Sequence, residues 1–395
     1  MRPKRLSVVH GPTNVGNLPW TLSQTMKAMG HDSRVVVNYD TWVHYPADLI
    51  VSAMGEQTPE SERLRLRNGL RQPLGADVMH YYFGRTFLTW DDYIQPSSVR
   101  FSRNRHFPFA DMYLARALGR RVVMTYQGCD ARLAAQSHAM NSVTPCKQGA
   151  CEAYTACVEK HDQRRRDVMA RVDRLAHLVL YVNPELGHFL PRGSFLPYGN
   201  VDLATIRPGP VQLRARPLIL HAPSDPHIKG TRQITEALGA LRSEFDFDFR
   251  LIQGLSHQEA MAQYADADLL VDQLLTGWYG GLSVELMAMG KPVACYIRDA
   301  DLGLVPEPMR RELPMLRIHP HTLVDDLRRI LIQRAQWPEI GRQSRAFAMR
   351  WHDPVKIASV LLEAYRRPAD YDQLLRAMPE RADSQSAMAE AGESP

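Results

Sequence analysis

The chain repeats one pattern: a short, unbroken apolar run followed by a stretch whose apolar positions recur every three or four residues. Strand-length runs fall at residues 6–9, 34–38, 77–81, 121–126 and 178–182. Helical patterns such as residues 21–29 and 112–118 lie between them. The rhythm restarts at 218–222 and continues through 249–253, 269–272, 292–297 and 316–319. Buried strands alternating with helices predict parallel sheets covered by helices on both faces. In such sheets, loops at the carboxyl ends of the strands form the ligand crevices.

Between the two series, residues 197–217 are rich in Pro and Gly and lack steady periodicity, which predicts a domain boundary. The expected organisation is a first domain over 1–200, a second over 213–350, and closing helices over 351–379. The amphipathic stretch 354–366 is well placed to close the second domain. The remainder, 380–395, is polar and poor in aromatics, and is expected to be disordered.

Length and composition agree with this division. A chain of 395 residues, 45% hydrophobic and 23% charged, can bury two sizeable cores. The net charge of +5 suits an anionic small ligand, or peripheral contact with an acidic membrane face. It is too small to argue for nucleic acid, and no nucleic-acid motif accompanies it. No apolar run approaches the roughly 20 residues of a membrane helix, and the apolar stretch after the basic start is too short for a secretory signal. Five cysteines is an odd number, so reduced thiols and a cytoplasmic setting are expected. Cys146, Cys151, Cys157 and His161 lack the tight C-x2-C pair usual in a zinc site, and no metal is assigned. The basic stretch 160–174 reads as a solvated helix face, with a contact to anionic lipid as the alternative.

Four segments carry candidate chemistry. In 277–293, GWYGGLSVELMAMGKPV, a loop with Gly277, Gly280 and Gly281 leads into a helix starting near Leu282 and ended by Gly290. Adjacent glycines admit a close ligand, and helix-start amides favour an anion. Glu285, one turn in, is placed to accept hydrogen bonds from ribose hydroxyls. A turn followed by a capped helix would look the same locally. In 218–231, LILHAPSDPHIKGT, Lys229 precedes Gly230 at a helix entry and offers a point charge for a diphosphate. In 122–132, VVMTYQGCDAR, a strand runs into Gln127, Gly128 and Asp130. Near the N-terminus a glycine turn holds Gly16 and Asn17. His80 and Arg85 lie near a strand end, with His80 either a packed strand residue or an acceptor contact.

GGLSVELMAMGKPV resembles the donor-binding stretch of the retaining group-1 (family 4-like) glycosyltransferases, F-G-x-x-x-x-E-A-M-A-x-G-x-P-V. The resemblance spans about residues 5–366, with the other segments in the family's order. It implies an α/β GT-B fold: two Rossmann-like domains whose parallel sheets face a central cleft holding the active site. It also implies transfer of a hexosyl group, with retention, from a nucleotide-diphosphate sugar to a hydroxyl acceptor. The acceptor would be a glycan or lipid-linked, in bacterial surface polysaccharide or glycolipid synthesis.

The resemblance assigns Glu285 to the ribose and Lys229 to the leaving diphosphate. Amides at Gly280, Gly281, Leu282 and Ser283 would hold the sugar and diphosphate. Gly16 lies at the cleft floor, and Gln127 and Asp130 form the sugar side. No metal and no cofactor beyond the donor is implied. This chain departs from the family at Gly277 (a Glu), Ser224 (an Arg) and Gln127 (a His), and Gln127 cannot titrate as a base. Asp272 and Tyr279 are candidate replacements for the Glu, and His227 and Arg232 for the Arg. The competing readings are a non-catalytic sugar-nucleotide-binding protein and a sugar-nucleotide epimerase on the same fold.

Overall fold

The computed structural model describes residues 5–40, 44–53, 58–88, 108–209, 211–255 and 257–378. The 380–395 tail lies outside the described residues. The chain divides into two compact units. One comprises residues 1–131, 164–200 and 354–395; the other comprises 132–163 and 201–353.

The first unit is built on a parallel sheet of seven strands: β1 (Ser7–Gly11), β2 (Asp32–Val37), β3 (Leu49–Ile50), β4 (Val78–Tyr82), β5 (Arg121–Tyr126), β6 (Leu178–Tyr181) and β7 (Gly193–Phe195). They lie in the order β3-β2-β1-β4-β5-β6-β7. Val8, Met79, Val123 and Leu180 are fully buried in its middle strands. The helix Leu18–Ala28 turns Leu18, Leu22 and Met26 inward at the spacing of one helical face.

The second unit carries a parallel sheet of five: β8 (Leu218–His221), β9 (Asp248–Leu251), β10 (Leu269–Val271), β11 (Val293–Cys295) and β12 (Leu316–Arg317), ordered β12-β11-β10-β8-β9. Ile219, Leu269, Val271 and Ala294 form its core with Trp337. The helices Thr231–Leu241 and Leu323–Ile332 supply Ile234, Leu238, Leu327 and Ile330.

Each strand read from the sequence is present within a residue or two. Two short ones, β3 and β7, were not foreseen. Two segments sit in the other unit from the one their chain position suggests. The helix Pro354–Arg366 belongs to the first unit, where it packs on Leu18–Ala28 and its Ile357 lies against Gly199. Tyr365 Oη lies 2.8 Å from His80 Nδ1 in the β4 strand. Conversely, residues 132–163 leave the first unit. Val143 joins the core of the second, and its carbonyl accepts from Arg298 Nη2 at 2.7 Å.

Candidate functional site

The helix Gly281–Ala288 organises the second unit's polar residues. It is buried nearly all round, Ser283 through Ala288 included, and it packs on the helix Trp337–Trp351. It begins at Gly281, one residue before the expected start. Gly280 caps it in extended backbone, and Gly290, at φ +78°, ends it beside Gly341. The first amides of a helix have no acceptor within it, so Gly281, Leu282 and Ser283 carry donors at this end.

Three donors close on one buried carboxylate at the end of β10. Asp272 accepts from Lys229 Nζ at 3.0 Å on Oδ1, and from Ser283 Oγ at 2.7 Å and the Gly280 amide at 3.0 Å on Oδ2. Burial alone would raise the Asp272 pKa. Lys229, the Ser283 hydroxyl and the Gly280 amide outweigh it and hold the carboxyl below its usual range.

Lys229 arrives there on a single helical turn, Pro226–Lys229. The turn is capped by Asp225, whose carboxylate accepts from the His227 and Ile228 amides. Gly230, at φ +77°, lets the chain turn at once into the helix Thr231–Leu241. A side chain at Gly280 would come within 3.1 Å of Lys229 Nζ, so this glycine leaves room for the cation. Beneath it, buried His221 donates from Nδ1 to the Val271 carbonyl at 2.7 Å and accepts at Nε2 from Thr231 Oγ1 at 2.9 Å. Burial lowers the His221 pKa, which keeps the ring neutral for both roles.

Glu285 stands one turn further along. Its Oε1 accepts from His257 Nε2 at 2.7 Å, and its side chain is 12% exposed against 43% for that of His257. The hydrogen bond to Glu285 raises the His257 pKa against the opposing effect of burial.

Several expectations change here. The Gly280 amide, expected to hold the donor, already serves Asp272. Tyr279, considered for the place of the absent Glu, is fully buried and lies 2.9 Å from His352 Nε2. Asp272 is committed to Lys229. The Gly277 position itself has no room for a carboxylate. Its φ is +75°, and a Cβ there would come within 2.8 Å of Arg298 Cβ and 2.9 Å of the guanidinium. Arg298 is in turn held by Asp301 at 2.8 Å. Ser224 is exposed on the loop after β8. His227 lies 3.5 Å from Glu152, and Arg232 is largely exposed beside Glu236.

In the first unit, Asp130 folds the turn after β5. Its carboxylate accepts from the Gly128 amide at 2.6 Å and the Gln127 amide at 3.1 Å. Burial pushes its pKa up, with those amides opposing. Gln127 Nε2 donates to the Val15 carbonyl at 3.0 Å, and Asn183 donates to the Gln127 carbonyl. Gln127 is therefore tied to the loop that carries Gly16, whose φ is +67° with open space where a side chain would be. His80 is a packed strand residue. It is buried between Tyr365 and Thr125, and burial holds its pKa well below the usual range. Among the described residues, Cys146, Cys151 and Cys157 form no disulfide.

No family model and no curated protein matches the sequence. Solved structures do. Sucrose-phosphate synthase from Thermosynechococcus elongatus aligns over 92% of this chain and 99% of its own, at 14% identity and a TM-score of 0.55. HepE of Anabaena, solved in complex with UDP-glucose, aligns over 92% of this chain and 100% of its own, at 13% identity and a TM-score of 0.57. The fold is GT-B. At that identity the likeness fixes the architecture of the two parallel-sheet units and leaves the chemistry to the residues.

Proposed function

We propose that this protein is a glycosyltransferase that moves a hexosyl group from a nucleotide-diphosphate sugar to a hydroxyl acceptor with retention. The observation that carries the reading is the start of the Gly281–Ala288 helix. Helix-start amides, which have no acceptor within the helix, stand near Lys229, with Glu285 one turn away. An anion and a diol separated by a few ångströms are what the diphosphate and ribose of such a donor present.

In this reading the Gly281, Leu282 and Ser283 amides meet the diphosphate, and Lys229 swings from Asp272 towards it as charge develops on the leaving group. The donors replace a metal in that task. Glu285 accepts from the ribose hydroxyls. Asp130 acts through the turn it holds, and Gln127 is a hydrogen-bonding contact for the sugar without titrating. The acceptor is taken to be a glycan or lipid-linked hydroxyl of a bacterial surface polymer, reached from the cytoplasm with peripheral membrane contact. Among the described residues no helix is long and apolar enough to cross a membrane.

The test is incubation with a panel of radiolabelled nucleotide sugars and a broad set of acceptors, with the product's anomeric configuration read by NMR. Retained configuration in a new glycoside is the expected result. Binding without transfer or hydrolysis on every acceptor would replace the enzyme by a sugar-nucleotide-binding protein, and release of an inverted free sugar nucleotide would replace it by an epimerase.

A further inference from the structure

We infer that His257 is a positioning residue for the nucleotide subsite: it fixes one oxygen of Glu285 so that the other is presented to a ribose diol. The inference rests on the proposed reading of Glu285 and goes one step past it. Nothing in the sequence pairs the two, since His257 opens the helix His257–Ala265 and Glu285 lies 28 residues on in another helix.

A glutamate reaching out of a helix has three freely turning bonds, and an unrestrained carboxylate samples many directions. One charge-assisted bond of 2.7 Å to Oε1 removes most of that freedom. A carboxylate offers about four acceptor positions, and the imidazole takes one. Oε2 remains for hydroxyl donors, already aimed, so less order has to be imposed when the nucleotide arrives. Exposure points the same way. The Glu285 side chain is 12% exposed and that of His257 43%, so His257 stands at the rim of the subsite and holds the carboxylate from outside.

The opposite role is also physically sensible. His257 would then be a placeholder that occupies the ribose position and must be displaced, and removing it would strengthen binding. The two roles predict opposite signs.

The experiment uses the full chain and isothermal titration with ADP, GDP and UDP and their 2′,3′-dideoxy counterparts. Wild type binds one nucleoside diphosphate and discriminates against its dideoxy form by about tenfold or more. His257→Ala is expected to weaken the ribonucleotide by about tenfold while leaving the dideoxy form nearly unchanged, so that discrimination collapses. His257→Gln, whose amide also donates to Oε1, is expected to restore most of it. Circular dichroism and thermal melts of the variants identify any that are misfolded, and His257→Gln keeps the test decisive if His257→Ala is one of them. Tighter or unchanged ribonucleotide binding in a folded His257→Ala variant would overturn the inference while leaving the proposed function standing. If no nucleoside diphosphate binds wild type, the proposed function fails first and the inference falls with it.

Discussion

Lys229 Nζ and Asp272 Oδ1 lie 3.0 Å apart, with side-chain exposures of 13% and 1%. The pair spans 43 residues of sequence and joins the end of a one-turn helix to the end of β10. It also sets the entry to the Gly281–Ala288 helix, because Asp272 binds Gly280 and Ser283 as well. Asp272 is the counter-charge to this nearly buried ammonium.

Removing that partner is therefore expected to be costly. Asp272→Ala strands a mostly buried ammonium and frees the helix entry. Breaking a buried pair costs about 3–5 kcal/mol, and the low end is expected here because Lys229 can reach solvent. Ser283→Ala removes one hydrogen bond to a charged group and should cost about 1.5–3 kcal/mol. Urea denaturation of both variants checks the order; an Asp272→Ala protein as stable as wild type would contradict the role given to the pair.

Restoring the family's Glu at Gly277 should harm the protein. A side chain at φ +75° costs about 1–2 kcal/mol, and contact with Arg298 adds to it. Gly277→Ala and Gly277→Glu should both lower the denaturation midpoint. In Gly277→Ala combined with Arg298→Ala the costs should be less than additive, since the contact with the guanidinium is gone while that with the Cβ of residue 298 remains. Strict additivity would show that Arg298 does not occupy that space.

Buried histidines give the first unit a defined pH response. Burial lowers His10 to about 3 and holds His80 well below its usual range. His10 lies 2.8 Å from the Tyr82 hydroxyl, and His80 contacts Tyr365 and Thr125. Both rings stay neutral in the fold, whereas the unfolded chain takes up protons below about pH 6.5. Their contribution is thus present above that pH and declines as pH falls below it, at about 1.4 kcal/mol per pH unit for each ring, the His10 part being lost by about pH 3. His257 acts in the opposite sense: its pKa is raised, so its pairing with Glu285 contributes below about pH 6.5 and fades as pH rises through the raised value. Denaturation midpoints of wild type and His10→Phe at about pH 7 and about pH 5 test this. The variant should lose less stability on acidification.

The C-terminal helices should matter most to the first unit. Removing residues 354–395 uncovers Leu22 and leaves the His80 Nδ1–Tyr365 and Phe195–Tyr371 bonds unmade. Limited proteolysis of a chain ending at residue 353 should degrade the first unit before the second. Tyr365→Phe alone should cost only about 1 kcal/mol. Survival of an intact first unit in the truncated chain would show that these helices are dispensable to it.

Much of the architecture was legible because buried parallel strands announce themselves as apolar runs. The exceptions are instructive. β3 is two residues long with both side chains about 41% exposed, and β7 is Gly-Ser-Phe, too short for any period. The assignment of residues 132–163 and 354–366 to units depends on which face each finds in space, and local pattern carries no such information. At the site, Lys229 and Glu285 stood out by motif. Asp272 was read only as a stand-in for the absent Glu and His257 was not singled out, because an acid 43 residues from its lysine and a histidine 28 from its glutamate leave no periodic trace of the pairing.

The central claim is that the start of the Gly281–Ala288 helix grips a nucleoside diphosphate through Lys229 and Glu285. Calorimetric titration of ADP, GDP and UDP into wild type, Lys229→Met and Glu285→Gln tests it most directly. One nucleotide should bind wild type, and each variant should weaken it by about tenfold or more, with Lys229→Met losing more for the diphosphate than for the corresponding nucleoside. Binding that survives both substitutions unchanged, or no binding to wild type, would contradict the claim.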